Sequence, residues 1–261
     1  MYLPEEIKRL ICEDECNEDT IGKSDATVVI FKDSVLKIQE INDETEREHE
    51  VMEWLSNRLL VPKVLGFARD DKKNYLLMSR LHGKMAHDPS LLSNQDRAIT
   101  LLAEAMKLLW KVDISDCPYN SNLDYKLKQA EYNVKNNLVD MELVEPETFG
   151  KDGFHSPEDL LQWLYENRPE EDLAFTHGDF CLPNVFLNEN SVAGFIDLGK
   201  CGVADRWVDI AICYRSLKSN LNGKYGAAPI LNSKPELLFE KLGLEPNWEK
   251  IRYYMLLDEL F

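Results

Sequence analysis

The chain of 261 residues is 44% hydrophobic and 30% charged, a globular composition that excludes a disordered or collagen-like protein. It carries 47 acidic and 30 basic residues, and the formal net charge of -17 argues against a nucleic-acid partner because phosphate groups would be repelled. Apolar stretches such as residues 101–110 are interrupted by charges and are shorter than the about 20 residues that span a membrane. Because the N-terminal segment is charged where a secretory signal would be apolar, we expect a cytoplasmic protein with no membrane partner.

Strand-like segments dominate the first 80 residues. Residues 26–31, 34–38 and 75–78 are rich in β-branched and aromatic side chains, which favour strands. One helix is predicted over residues 45–60, with an apolar face and a proline soon after its end. The N-terminal part is therefore predicted to be a small sheet with one helix.

Helical periodicity replaces this pattern after a short segment, residues 79–84, which contains a glycine and is predicted to be a hinge. Apolar residues recur at helical spacing over residues 99–110 and 123–139. Ser156 and Pro157 are typical of an N-cap and a first helical residue, and they predict a further helix through Leu164. We therefore expect an α+β protein with an N-lobe (1–78), a hinge (79–84) and a larger α-rich C-lobe (85–261).

A short all-β insert is predicted within residues 172–200, with strands at 173–176, 185–187 and 192–196. In it Asp179 is followed five positions later by Asn184, and Asp197 comes after the predicted hairpin. Protein kinases space their catalytic aspartate and two metal ligands in this way. One carboxylate faces the attacking hydroxyl, and the other side chains offer hard oxygen ligands to Mg²⁺. An isolated His-Gly-Asp triplet is more typical of a turn with an aspartate cap, but the full spacing predicts phosphoryl transfer.

Upstream residues support the same chemistry. Lys37 lies on a predicted strand and Glu48 on the following helix, as in the pair that grips nucleotide phosphates in kinases. Neighbouring glutamates on that helix compete with Glu48 for this position. Gly22 and Ser24 lie in the turn between the first two strands, where backbone N–H groups can cover phosphates.

Taken together, HGDFCLPN, GFIDLGKCGVADRWVDIA and the terminal YYMLLDELF resemble the aminoglycoside phosphotransferases, in particular the 3'-phosphotransferases that confer kanamycin and neomycin resistance. The segments VPKVL, LLMS and DISDCP extend the resemblance nearly end to end. It implies a protein-kinase-like bilobal fold with the active site in the cleft, and a monomer or weak dimer. It also implies ATP, with GTP as the alternative nucleotide, Mg²⁺, and transfer of the γ-phosphate to the 3'-hydroxyl of an aminoglycoside.

The resemblance implies roles for single residues as well. Asp179 is the implied catalytic base, and Lys200 stands where relatives carry an arginine, so it keeps the charge without the bidentate fork. The implied metal ligands are Asn184 and Asp197, and the implied nucleotide contacts are Gly22, Ser24, Lys37, Glu48, Met78, Ser79, Leu81 and Ile196. The implied substrate contacts are Glu145, Glu147, Arg215, Asp258, Glu259 and the C-terminal carboxylate of Phe261. Asp209 and Arg215 also lie on a segment expected to be a helix that braces the catalytic loop.

Two other functions remain open from the residues alone. A kinase for another small molecule, such as choline, a sugar amine or a macrolide, would share the catalytic core, because the core does not choose the acceptor. The terminal LLDELF favours an aminoglycoside. A nucleotide-binding pseudoenzyme would normally have lost one of four residues that are all present, namely Lys37, Asp179, Asn184 and Asp197.

Overall fold

A computed structural model of the chain describes residues 3–11, 17–19, 26–151, 153–226 and 228–261, with only the backbone described at 17–19. The chain divides into two compact units, Met1–Met85 with Asn184–Lys200, and Ala86–Pro183 with Cys201–Phe261. The first unit therefore includes residues 184–200, which the sequence analysis assigned to the C-lobe.

The first unit contains a five-stranded antiparallel sheet. Its strands are β1 (Asn17–Asp19), β2 (Thr27–Ile30), β3 (Ser34–Glu40), β4 (Val64–Arg69) and β5 (Lys73–Ser79), in the order β1-β2-β3-β5-β4. The three predicted strands are thus confirmed. Leu36, Ile38 and Leu77 are buried in the core on one face of this sheet. Because successive residues of a strand point to opposite faces, Lys37 points away from that core.

Two helices accompany the sheet, where the sequence predicted one. Helix α1 (Glu5–Leu10) buries Ile7 in the core of the sheet. Helix α2 (Asp43–Leu55) begins at a reciprocal capping box between Asn42 and Thr45. The prediction that it continues to residue 60 is wrong, because the N–H groups of Ser56 and Arg58 turn back to carbonyls at the end of the helix.

The predicted all-β insert is divided between the two units. Strand β6 (Lys84–Met85) pairs with β8 (Val185–Leu187), which pairs with β9 (Val192–Phe195), and this small sheet belongs to the first unit. Strand β7 (Leu173–Thr176) pairs with β10 (Gly202–Asp205) in the second unit. The three strands lie where the sequence predicted them, but they do not form one sheet, because β7 pairs with β10 after the hairpin.

The second unit is mainly helical. Its helices are α3 (Pro89–Leu92), α4 (Gln95–Trp110), α5 (Leu123–Lys135), α6 (Pro157–Glu166), α7 (Trp207–Leu221), α8 (Leu237–Leu242) and α9 (Trp248–Asp258). Helix α6 has the predicted cap, in which Ser156 Oγ accepts the Asp159 N–H at 3.3 Å. Helix α5 was predicted to reach residue 139 but ends at Lys135, and Asn137 has a left-handed φ of 54°. No helix in the described ranges is long and apolar enough to cross a membrane.

Candidate active site

Lys37 is the centre of the site in the first unit. Its Nζ donates to Glu48 Oε2 at 2.9 Å and to Asp197 Oδ1 at 2.7 Å. The side chains of Lys37 and Glu48 are 11% and 3% exposed. Burial lowers the pKa of Lys37, but the two carboxylates raise it more, so that the pKa lies above its ordinary value. The lysine is therefore held in its charged form at neutral pH.

Among the glutamates of α2, Glu48 is the partner of Lys37 because of its position on the helix. It shares the buried face of the helix with Val51, Met52 and Leu55. Its Oε1 also accepts the Leu198 N–H at 3.3 Å, so one carboxylate joins the lysine to the segment after Asp197. Glu46, by contrast, forms an exposed ion pair with Arg69.

The β8–β9 hairpin brings the two expected metal ligands together. The Ile196 N–H donates to the Asn184 carbonyl at 3.0 Å, which places Asp197 next to the asparagine across the hairpin. Asp197 has a left-handed φ of 61°, a conformation that aspartate tolerates better than most residues. It is followed by one turn of 3-10 helix, Leu198–Lys200, where the expected catalytic residue Lys200 lies.

This donor set suits Mg²⁺. An amide and a carboxylate supply hard oxygen atoms, and Mg²⁺ is usually held by one or two such side chains together with phosphates and water. The pair Asn184 and Asp197 therefore fits a metal ion that arrives with a nucleotide.

The expected adenine-binding residues are on and after β5. Met78 is buried opposite Val35 of β3, and Ser79 ends the strand. The Ser79 N–H donates to the Lys63 carbonyl and its Oγ accepts the Lys63 N–H, both at 2.8 Å. Leu81 follows in the loop before β6. Gly22 and Ser24 lie outside the described residues.

Asp179 lies in a loop of the second unit, residues 177–182, whose start is held by Asp209 of α7. The fully buried Asp209 accepts the His177 N–H at 2.8 Å and the Gly178 N–H at 2.9 Å. The Asp179 N–H in turn donates to His177 Nδ1 at 3.3 Å. Burial raises the pKa of Asp209 to about 6, against the opposing effect of His177 and the two backbone N–H groups. The expected bracing role of Asp209 therefore corresponds to two direct hydrogen bonds to the loop.

Ser216 holds the other end of the loop. The Leu182 N–H donates to Ser216 Oγ at 3.1 Å in a buried contact. Ser216 and Asp209 are seven residues apart, which places them on one face of α7. The sequence analysis did not find Ser216, although a polar residue seven positions after Asp209 on a buried helix is a usable signal. Asp179 thus lies between two side-chain anchors from a single helix.

A cluster of carboxylates forms near the chain terminus. Arg215 of α7 pairs with Asp258 and lies 3.5 Å from Glu259 through Nη1. Glu259 Oε2 accepts the Glu145 N–H at 2.8 Å, and the Glu259 side chain is only 7% exposed. Burial raises the pKa of Glu259, while the Glu145 N–H and Arg215 oppose this rise. Glu259 therefore anchors the loop that carries Glu145.

Helix α5 holds the last residues. Asn133 Nδ2 donates to the Leu260 carbonyl at 2.9 Å, and Lys126 Nζ lies 5.0 Å from the centre of the Phe261 ring. Glu147 is exposed, and within the described residues no ion pair reaches it. The expected substrate residues therefore include one exposed carboxylate, Glu147, and several carboxylates with internal partners.

Comparisons with known proteins identify relatives in sequence and in fold. The phosphotransferase enzyme family matches residues 21–236. An aminoglycoside 3'-phosphotransferase of Enterococcus faecalis is 38% identical over 272 residues, covering 100% of this chain and 99% of that protein. The crystal structure of a type VIII aminoglycoside-3'-phosphotransferase superposes with a TM-score of 0.79 at 26% identity, covering 98% of each chain.

A more distant structure shares the fold. It is an aminoglycoside phosphotransferase from Streptomyces rimosus in complex with ADP and streptomycin, with a TM-score of 0.77 at 22% identity over 98% of this chain and 96% of that one. The expected kinase-like α+β fold is confirmed by these likenesses. The family match over most of the sequence and the end-to-end identity lead to one conclusion: the chain belongs to the phosphotransferase enzyme family, among the aminoglycoside 3'-phosphotransferases.

Proposed function

We propose that the protein transfers the γ-phosphoryl group of ATP to the 3'-hydroxyl of aminoglycoside antibiotics of the kanamycin and neomycin type. The observation that carries the reaction type is the Lys37 ammonium group, bonded at once to Glu48 and Asp197. In kinases this arrangement orients the α and β phosphates of the nucleotide. The acceptor class is supported by the relative from Enterococcus faecalis that matches this chain from end to end.

Asp179 is proposed as the base. Its carboxylate accepts the proton of the attacking hydroxyl while the new oxygen–phosphorus bond forms and the bond to ADP breaks. The anchors at both ends hold the backbone of its loop before the substrate binds, so little reorganisation of the loop is needed during transfer. Lys200 is proposed to stabilise the negative charge on the transferred group.

Mg²⁺ is the proposed metal. Asn184 and Asp197 would hold it, and it would neutralise charge on the nucleotide phosphates. Asp197 also forms an ion pair with Lys37. Met78, Ser79, Leu81 and Ile196 are proposed to contact the nucleotide, and GTP is the alternative to ATP.

The cationic substrate is proposed to bind the carboxylates around the chain terminus. Glu145, Glu147, Asp258, Glu259 and the carboxylate of Phe261 outnumber the paired cations Arg215 and Lys224, so this group of carboxylates attracts ammonium groups. Each partly buried ammonium–carboxylate hydrogen bond contributes about 1.5–3 kcal/mol. Besides its proposed contact with the substrate, Glu259 has a second role, because its carboxylate accepts a hydrogen bond from the Glu145 N–H and so anchors that loop.

A coupled ADP-release assay tests this proposal. It uses ATP or GTP, with and without Mg²⁺, over a panel of aminoglycosides that either have or lack a 3'-hydroxyl. We expect turnover with kanamycin and none with 3'-deoxy analogues. Turnover of 3'-deoxy analogues at the same rate would place transfer on another hydroxyl. Turnover of choline or a macrolide without turnover of any aminoglycoside would identify a different small-molecule kinase.

A further inference from the structure

The turn that ends α7 fixes the backbone position of Lys224. Gly223 follows the helix with a φ of 76°, and its N–H donates to the Asn220 carbonyl at 3.2 Å. The Lys224 N–H donates to the Ser219 carbonyl at 3.0 Å. These two bonds form a Schellman motif, for which glycine is the preferred residue at the left-handed position. The backbone of Lys224 is therefore fixed by the helix that also carries Asp209, Arg215 and Ser216.

The side chain of Lys224 forms an ion pair with the carboxylate of Glu145. Its Nζ lies within hydrogen-bond distance of both carboxylate oxygens, at 2.7 Å from Oε2. The backbone of Glu145 is itself anchored by Glu259, as described above. Each backbone is thus held by hydrogen bonds other than the ion pair, so the pair can open by rotation of the two side chains.

A comparison of the partners and exposure of Arg215 and Lys224 indicates which of these two cations a substrate can displace. Arg215 is 27% exposed and contacts two carboxylates, Asp258 and Glu259. Lys224 is 47% exposed and contacts one, whose own side chain is 33% exposed. An ammonium group is a compact charge on a flexible stem, whereas a guanidinium group is held rigidly by paired hydrogen bonds. Exposed lysine pairs are also weak.

We propose that Lys224 stands in for a substrate ammonium group on Glu145 and must leave when the substrate binds. This inference rests on the proposed function, because Glu145 is a proposed substrate contact. Lys224 is then a specificity-determining residue. It lowers the affinity for any cation that needs Glu145, and it leaves nucleotide binding and the chemical step unchanged.

The expected effect follows from the strength of such a pair. Opening an exposed ion pair is equivalent to about a two- to five-fold change in a binding constant. Lys224→Gln should therefore lower both the Kd and the KM for kanamycin about two- to five-fold, with kcat and the KM for ATP unchanged. Lys224→Arg keeps the charge and should not lower them.

The experiment combines calorimetric titration with kanamycin in the absence of nucleotide and the ADP-release assay. Lys241→Gln is the matched control, since it removes one lysine from another ion pair of the same unit, 2.7 Å from Asp96. It should leave the kanamycin Kd unchanged. In a Glu145→Gln background, Lys224→Gln should no longer improve binding.

The outcomes separate this inference from the proposed function. An equal or higher kanamycin Kd in Lys224→Gln overturns the inference, as does an improvement that persists without the Glu145 carboxylate. An equal improvement in Lys241→Gln also overturns it, because the effect would then reflect net charge alone. Tighter binding in Lys224→Gln without any kanamycin-dependent ADP release would support the inference and refute the proposed function.

Discussion

Glu48 shows how much one buried charge depends on its partners. Its side chain is 3% exposed, and its oxygens accept from Lys37 and from the Leu198 N–H. A carboxylate so far from water is tolerated only when it is paired and hydrogen-bonded. Because the pKa of Lys37 is raised, the stabilisation from its charge is complete below its ordinary pKa of 10.5 and is lost only as pH rises through the still higher folded-state value.

Removing this lysine should destabilise the protein. Lys37→Met leaves Glu48 buried without its counter-ion, and we expect the free energy of unfolding to fall by about 3 kcal/mol. Urea denaturation followed by circular dichroism measures the change. Adding Glu48→Gln should restore part of the stability because no buried charge remains. Equal instability of the double variant would show that Glu48 does not depend on Lys37.

Asp179 leads to a prediction about turnover. Asp179→Asn keeps the shape of the side chain but cannot accept the hydroxyl proton. We expect kcat to fall about a hundred- to ten-thousand-fold, with the KM for ATP changed less than a few-fold, because the carboxylate serves the acceptor and not the nucleotide. Steady-state kinetics measure both constants. A kcat within tenfold of the wild type would refute the proposed base.

Among the elements, α7 contributes most to the site of the second unit. It holds the loop around Asp179 at both ends, pairs with the residues near the terminus through Arg215, and places Lys224 through its last turn. Its buried face includes Ile210, Ala211 and Leu217, so apolar packing fixes the orientation of the polar residues between them. Packing and site geometry are therefore coupled in this helix.

The Ser216 anchor should matter for rate more than for substrate binding. Ser216→Ala leaves the buried Leu182 N–H without its acceptor, and we expect about 1–3 kcal/mol of lost stability. We also expect kcat to fall about tenfold, with the kanamycin KM within two-fold and recovery of kcat in Ser216→Thr.

Tyr253→Phe is the matched control for this variant. The Tyr253 hydroxyl donates to the Leu164 carbonyl at 2.9 Å, a buried bond in the same unit that does not involve the loop. A similar loss of stability with unchanged kcat is expected. If both variants lost activity equally, Ser216 would have only a general structural role.

Asp209 predicts a dependence of stability on pH. Its pKa is raised from 3.8 to about 6, so protonation favours the folded state. This stabilisation is complete below the ordinary pKa and is lost as pH rises through about 6. A difference of this size between the folded and unfolded pKa is equivalent to about 3 kcal/mol of unfolding free energy. Urea denaturation of the wild type and of Asp209→Asn measures this effect. Between pH 4 and 7 the unfolding free energy of the wild type should fall by about 3 kcal/mol relative to that of the variant. A difference independent of pH would contradict the raised pKa.

The charge of the whole molecule favours a cationic substrate. A net charge of -17 attracts polyamines and repels free nucleotide at long range. Added salt shortens the range of these forces, from about 10 Å at 0.1 M to about 3 Å at 1 M.

Salt should therefore affect the two substrates differently. Raising the ionic strength from about 0.05 to 0.5 M is expected to increase the kanamycin KM at least about three-fold, and the KM for ATP less, because screening also relieves repulsion of the nucleotide. Steady-state titrations in chloride and in glutamate salts distinguish screening from binding of a particular anion. An unchanged kanamycin KM would mean that the carboxylates near the terminus are not used for binding.

Features that depend on short-range patterns could be predicted from the amino-acid sequence. β-Branched and aromatic residues predicted β2, β3 and β5, and the Ser156 cap predicted α6. The spacing of Asp179, Asn184 and Asp197, with the long resemblance, predicted the family and its chemistry. Such patterns are readable because the hydrogen bonds and periodicity behind them lie within a few residues.

Contacts between groups that are distant in the sequence could be identified only from the folded chain. The hydrogen bond from the Leu198 N–H, 150 residues away, distinguishes Glu48 from the neighbouring glutamates. Ser216 is an anchor because it accepts a hydrogen bond from the Leu182 N–H, 34 residues upstream. The same holds for Glu259, whose carboxylate meets the Glu145 N–H across 114 residues. Burial against a partner element, rather than local propensity, selects these pairs, because a buried charge or N–H group must find its partner wherever the packing places one.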